Sequence, residues 1–117
     1  MPTLKRLKLL QGELAQIHDS ELPIHYIAAL ELKDGGVRGN HFHRIKVEHT
    51  YVMRGELELV ACDPATGHQL NLSMREGALV VIQPGIAHAF RTVRSGLAIE
   101  FAPTVFDPAD VHKHALA

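Results

Sequence analysis

Residues Gly39–Glu48 read "GNHFHRIKVE", two histidines flanking a phenylalanine and a glutamate five places after the second; Gly55 follows seven positions on. In an extended chain, residues i and i+2 face the same side about 7 Å apart, so His41 and His43 can aim both imidazoles at one point. Glu48 stands an odd step from His43, and an unbroken strand would carry it to the opposite face. The chain must therefore turn or bulge within "RIKV" if Glu48 is to join the pair. Taken alone, a His-x-His is more often a solvated or packed pair than a ligand set. What decides it is the surrounding sequence.

That sequence is β-like in both directions. Glycine and proline break it at "KDGG" (33–36), "RGE" (54–56), "DPATG" (63–67), "REG" (75–77), "QPG" (83–85) and "RSG" (94–96). Breaks at about every ten residues predict an all-β sandwich or barrel. Between them lie "IHYIAALEL" (24–32), "HTYVM" running into "ELELVAC", then "QLNLSM", "ALVVI", "HAFRTV" and "LAIEF". Leu57, Leu59 and Ala61 alternate with Glu58 and Val60, the period of a half-buried strand. Leu70, Leu72 and Met74 share one side of the next segment, and "DPATG" suits the hairpin loop between the two. Seven or eight short strands make a small barrel or jelly roll. Leu7–Ile17 is expected to be a short helical or irregular segment. At the other end Asp107 is a plausible N-cap with Pro108 at the first helical position, so a short C-terminal helix is expected.

His88 supplies the remote partner. It stands in "GALVVIQPGIAHAF", after a Pro84-Gly85 turn that needs positive φ and would aim the following residues inward. Here the two segments resemble the paired motifs of the cupin superfamily. The first, G-x(5)-H-x-H-x(3,4)-E-x(6)-G, is filled by Gly35, His41, His43, Glu48 and Gly55. The second, G-x(5)-P-x-G-x(2)-H-x(3)-N, is followed through Gly77, Gly85 and His88, with Gln83 at the family's proline and Thr92 at its asparagine. The resemblance implies a small double-stranded β-helix, an RmlC-like jelly-roll barrel. It implies a single cupin domain over 1–117, with a barrel core about 24–102, an N-terminal segment 1–20 and a C-terminal segment 103–117. It also implies one divalent metal held by His41, His43, Glu48 and His88. The chemistry agrees: imidazole and carboxylate suit iron, manganese, nickel, copper or zinc, and four ligands leave open positions on an ion that prefers six.

The remaining residues bound the function. His49, next to Glu48, points away from the ligands and is expected at the surface or behind them; His18, His25, His68, His112 and His114 look ordinary. Thr50, Val52, Phe90 and Thr92 share the ligands' parity, whereas Phe42, Tyr51 and Met53 fall on the opposite face. Arg38, Lys46, Arg54 and Arg91 are rim charges that could meet an anionic substrate. The 117 residues carry a formal charge of −1, so no global field attracts nucleic acid or anionic lipid. No apolar run approaches a membrane span, and the N-terminus lacks a signal-peptide core. Cys62 is the only cysteine, which suits a reducing, cytoplasmic setting.

The expected partner is a small-molecule substrate, and unpaired edge strands favour a homodimer. Cupins span several chemistries, so the resemblance implies a metal-dependent enzyme of oxygenase or isomerase type, with catalytic residues unassigned. The alternatives are a sugar- or nucleotide-sugar-related cupin and a non-catalytic metal- or ligand-binding module. No tyrosine after Tyr51 offers the histidine partner of the metal-free epimerases.

Overall fold

The structure, a computed structural model, describes residues 6–117. Its strands are β1 (Arg6–Leu9), β2 (Gly12–Ala15), β3 (Tyr26–Leu32), β4 (Val37–Phe42), β5 (Glu48–Cys62), β6 (Gln69–Met74), β7 (Leu79–Ile82), β8 (Ala87–Ala102) and β9 (His112–Lys113). All pairings are antiparallel. The all-β jelly roll expected from the sequence is what forms.

Two long strands organise it. β5 and β8 run side by side throughout, with register shifts between Val52 and Leu57. The first half of β5 and the second half of β8 pair with β7 and β3; their other halves pair with β6 and with β4, whose far edge takes β9. The "RGE" and "RSG" breaks are thus bends within continuous strands rather than chain reversals. Glycine makes the bend possible: a Cβ on Gly96 would overlap the Arg54 carbonyl, and Gly55 has φ +93° with Arg94 O where its Cβ would stand. Only backbones without side chains approach this closely.

The strands' inner faces enclose a core of Leu32, Val52, Leu57, Leu59, Met74, Ile82, Phe90 and Ala98. Leu70 and Leu72 lie opposite Ala61 and Leu59, yet β6 is an edge strand and leaves them 59% and 43% exposed. Period two holds along β8, where His88, Phe90, Thr92, Ala98, Glu100 and Ala102 face inward. The site grows from this face.

Two terminal expectations change. Most of 7–17 lies in the β1–β2 hairpin, which ends at Ala15, and none of it is helical. Gly12 (φ +131°) turns the chain, and Arg6 pairs with Glu13 across the hairpin at 2.6 Å. The C-terminal helix is a single 3₁₀ turn, Pro108–Asp110, with Asp107 Oδ1 accepting from Ala109 N as its N-cap. It stops there because Val111 is extended and leads into β9, and the Asp110 side chain is drawn back onto another loop.

Candidate metal centre

His41, His43, Glu48 and His88 meet. One ligand atom from each lies within 4.8 Å of all the others. His41, next to last in β4, lies opposite His88 at the head of β8, across a register shift at Gly39–Asn40 where Asn40 adopts φ 57°. His88 follows the Gln83–Ile86 turn, in which Gly85 has φ +87°, the left-handed conformation the Pro-Gly pair called for. Glu48 arrives as inferred: the chain leaves β4, loops through Arg44–Val47 and re-enters β5 with its carboxylate inward.

Hydrogen bonds fix which nitrogen each imidazole offers. His43 Nδ1–H donates to Asp110 O at 2.7 Å, and His88 Nδ1–H donates to Ile86 O at 3.1 Å. Each ring therefore turns Nε2, with its lone pair, toward Glu48 Oε1, at 3.6 Å and 3.4 Å. Both Nε2 atoms are buried without a hydrogen-bond partner. Buried polar atoms left unpaired cost about 1–3 kcal/mol each, and two aimed at one carboxylate fit a cation between them. The donor set, three imidazoles and one carboxylate, suits a divalent first-row ion.

Electrostatics follow from the crowding. Burial lowers the His41 pKa to about 4, helped by the neighbouring His88 and His43. His43 is shifted upward, first by the facing Glu48 carboxylate and further by the Asp110 carbonyl. Burial alone would raise Glu48, but the facing His43 and His88 imidazoles hold it well below the usual range. Thr50 Oγ1 donates to Glu48 Oε2 at 3.1 Å.

Two contributors escaped the sequence analysis, Glu100 and Asp110, and a third, Lys46, was placed elsewhere. Glu100 sits opposite Thr50 on β8, lines the cavity beside the ligands and has its pKa raised by burial and by Glu48. Its signal was a lone carboxylate within the apolar "LAIEF". Lys46, expected as a solvated rim charge, is 11% exposed and places Nζ 2.9 Å from Glu100 and 3.9 Å from Glu48. Nζ also lies 4.9 Å from the centroid of the Tyr26 ring, on the inward face of β3. Asp110, with its backbone contact to His43, had no local signal at all.

The other candidates sort by contact. Arg54 pairs with Glu13 and Arg91 with Glu58, both away from the ligands. Arg38 lines the ligand cavity of about 180 Å³, which Phe90 and Leu30 also wall. It equally lines a second cavity of about 370 Å³, shared with Lys33 and Thr92. His49 is buried rather than superficial, stacked on Phe101 at 4.8 Å, because the outer face of β5 is itself covered. His112 stacks on Phe42 and His114 meets it edge-on; neither joins a metal-ligand cluster among the described residues.

With the site in place, the chain can be set beside known proteins. The Cupin family model matches residues 12–114. The chain belongs to the cupin family. Comparison with curated proteins returns no match. Among solved structures, this cupin resembles ChmJ, a 3'-monoepimerase from Streptomyces bikiniensis in complex with dTDP-quinovose. The TM-score is 0.82 at 17% identity, over 94% of this chain and 66% of that one. It resembles the QdtA 3,4-ketoisomerase from Thermoanaerobacterium thermosaccharolyticum, with TM-score 0.81 and 16% identity over 96% and 84% of the two chains. It also resembles the capsular polysaccharide assembling protein CapF from Staphylococcus aureus, with TM-score 0.74 and 17% identity over 99% of this chain and 34% of CapF. The cupin thus spans about two thirds of the epimerase and one third of CapF, and at these identities the likeness establishes the fold alone.

Proposed function

We propose that this cupin is a divalent-metal-dependent enzyme of sugar or nucleotide-sugar metabolism, of isomerase type. The observation that carries the metal reading is the pair of buried, unpartnered Nε2 atoms of His43 and His88 converging with His41 on the Glu48 carboxylate. A bound ion would act as a Lewis acid on a substrate carbonyl or hydroxyl oxygen. Glu100 favours isomerisation over oxygenation. Its carboxyl faces the cavity, Oε1 accepts from Lys46 Nζ, and burial beside Glu48 favours the protonated form. The raised pKa suits a carboxyl that takes a proton as carboxylate from a carbon next to a carbonyl and returns it as the acid. Arg38 is the rim cation suited to an anionic group on the substrate, since it lines the ligand cavity and Nη2 spends only one bond, on Glu31 O. The sugar class is supported by the solved neighbours that handle dTDP-sugars.

The first test is metal content and stoichiometry in the wild type beside His88→Ala, the wild type alone retaining one ion per chain. The second is solvent deuterium uptake by a 4-keto-6-deoxy nucleotide sugar, expected with wild type and lost in Glu100→Gln. A tightly held zinc with no displaceable water and no exchange would replace the enzyme by a binding module with a closed shell.

We also infer a homodimer. The outer face around β3 and β7 leaves Ile27 70%, Val81 42% and Leu79 38% exposed, and among the described residues β3 pairs on one edge alone. Elution near 12.9 kDa in gel filtration would remove it.

A further inference from the structure

We propose that residues 107–117 form a positioning strap for the metal centre, anchored at Asp110 and Asn40, and that strap docking and metal occupancy are coupled. The inference rests on the metal reading above. Asp110 is 8% exposed and receives four groups from a loop more than sixty residues away in sequence. Its carboxylate accepts from the backbone N–H of Arg44 at 2.8 Å, Ile45 at 3.2 Å and Lys46 at 3.0 Å. Its backbone carbonyl accepts His43 Nδ1–H.

Each contact has a consequence at the centre. The carbonyl leaves Nε2 as the free nitrogen of His43 and sets the ring's orientation, the task outer partners perform for ligating histidines. The carboxylate gathers three consecutive N–H groups, and so holds the loop in the turn that returns Glu48 to the inner face. Beyond the 3₁₀ turn, β9 sets Lys113 opposite His41 and His112 opposite Phe42. The last residues close on Asn40: His114 N donates to Asn40 O at 2.7 Å, while Leu116 N and Ala117 N donate to Oδ1 at 2.8 Å and 2.9 Å. Asn40 holds the positive-φ position just before His41. The strap therefore touches His43 directly, pairs beside His41 and shapes the loop before Glu48; none of these contacts reaches His88.

Coupling follows by linkage: if undocking the strap weakens metal binding by some factor, metal binding tightens the strap by the same factor. The test compares Asp110→Ala, Asp110→Asn, Asn40→Gly and His88→Ala with wild type. Asn40→Gly removes Oδ1 but keeps the positive φ available, so it reads the strap even if Asp110→Ala folds poorly. Cobalt(II) affinity is measured by competition, apo stability by thermal melting, and amide exchange over 107–117 with and without cobalt.

Asp110→Ala keeps the backbone carbonyl but releases the carboxylate that anchors it. It is expected to weaken cobalt by up to about 10–100-fold, the range for losing an outer partner if the carbonyl leaves His43 with the strap. Asp110→Asn, which keeps one carbonyl oxygen, should recover part of this. Asn40→Gly is expected to weaken cobalt several-fold with little change in apo melting, and cobalt should slow wild-type exchange in the strap. If His88→Ala loses cobalt while Asp110→Ala and Asn40→Gly bind like wild type, the strap proposal is wrong and the metal centre stands. If wild type and His88→Ala are alike toward cobalt, the metal reading falls and takes the strap with it.

Discussion

Replacing Glu48 with glutamine separates a carboxylate kept for binding from one kept for stability. Glu48 is 4% exposed and carries one well-formed hydrogen bond, from Thr50 Oγ1. Its nearest fixed cation, Lys46 Nζ, lies 3.9 Å away. At an effective dielectric near 20, that pair attracts by about 4 kcal/mol. Withdrawing the carboxylate from water costs several kcal/mol and offsets much of this. The depressed pKa leaves the ionised form a net gain, which the glutamine amide recovers in part by donating to the histidines. Removing one partner of a buried pair normally strands the other, but Lys46 keeps Glu100 at 2.9 Å. Glutamine retains an acceptor for Thr50 and presents an amide to the histidines. The apo protein should therefore change by no more than about 1 kcal/mol, a melting shift within about 5 °C for a domain of this size. Cobalt affinity, by contrast, should fall more than about 100-fold, beyond the range for outer partners alone. The assay is calorimetric melting of metal-free protein together with cobalt competition. A drop of more than 10 °C in the apo form, with affinity unchanged, would show that Glu48 is there to hold the barrel together.

Other expectations are briefer. Hydrogen bonds from Arg6 and then Arg54 hold Glu13 at about 2. A depressed carboxyl contributes stability above its unfolded value near 4.5 and loses it as pH falls toward 2. Carboxyl NMR should show Glu13 still ionised at pH 3.5 with the β1–β2 hairpin docked, and titration near 4.5 would contradict the ion pairs. Gly96→Ala forces its Cβ into the Arg54 backbone and should cost more than about 3 kcal/mol by denaturant melting. Gly67→Ala, with open space but φ +76°, should cost only about 1 kcal/mol. Leu59→Ala, from a side chain 1% exposed, should lose about 2–5 kcal/mol, whereas Leu70→Ala at 59% exposure should lose under about 0.5 kcal/mol. Arg38→Met should weaken inhibition by inorganic phosphate in any assay of the metal-loaded enzyme while leaving cobalt affinity intact; equal inhibition would remove Arg38 from substrate binding.

Much of this protein was legible along the chain because its signals are local. Glycine falls where the backbone takes positive φ, at the Gly55 bend and the Gly85 turn, and strand parity alone places Thr50, Phe90 and Thr92 inside. The four members of the cluster were named through the cupin resemblance of the two histidine motifs; same-face spacing and the Pro-Gly turn agree with it but do not single them out. Parity failed where a strand lies at an edge or beneath a cover. Leu70 and Leu72 face inward yet stay exposed, while His49 faces outward yet is buried.

The sequence by itself determined the alternation and the bends, because each depends on residues within one or two turns of chain; the four-residue cluster came from the family that its two motifs resemble. Only the tertiary structure decided what surrounds them. Glu100 reaches Lys46 from 54 positions away, and Asp110 takes His43 from 67. Such pairs form because antiparallel strands and a returning tail bring distant backbone to within hydrogen-bond length, and no local pattern records which distant residue will arrive.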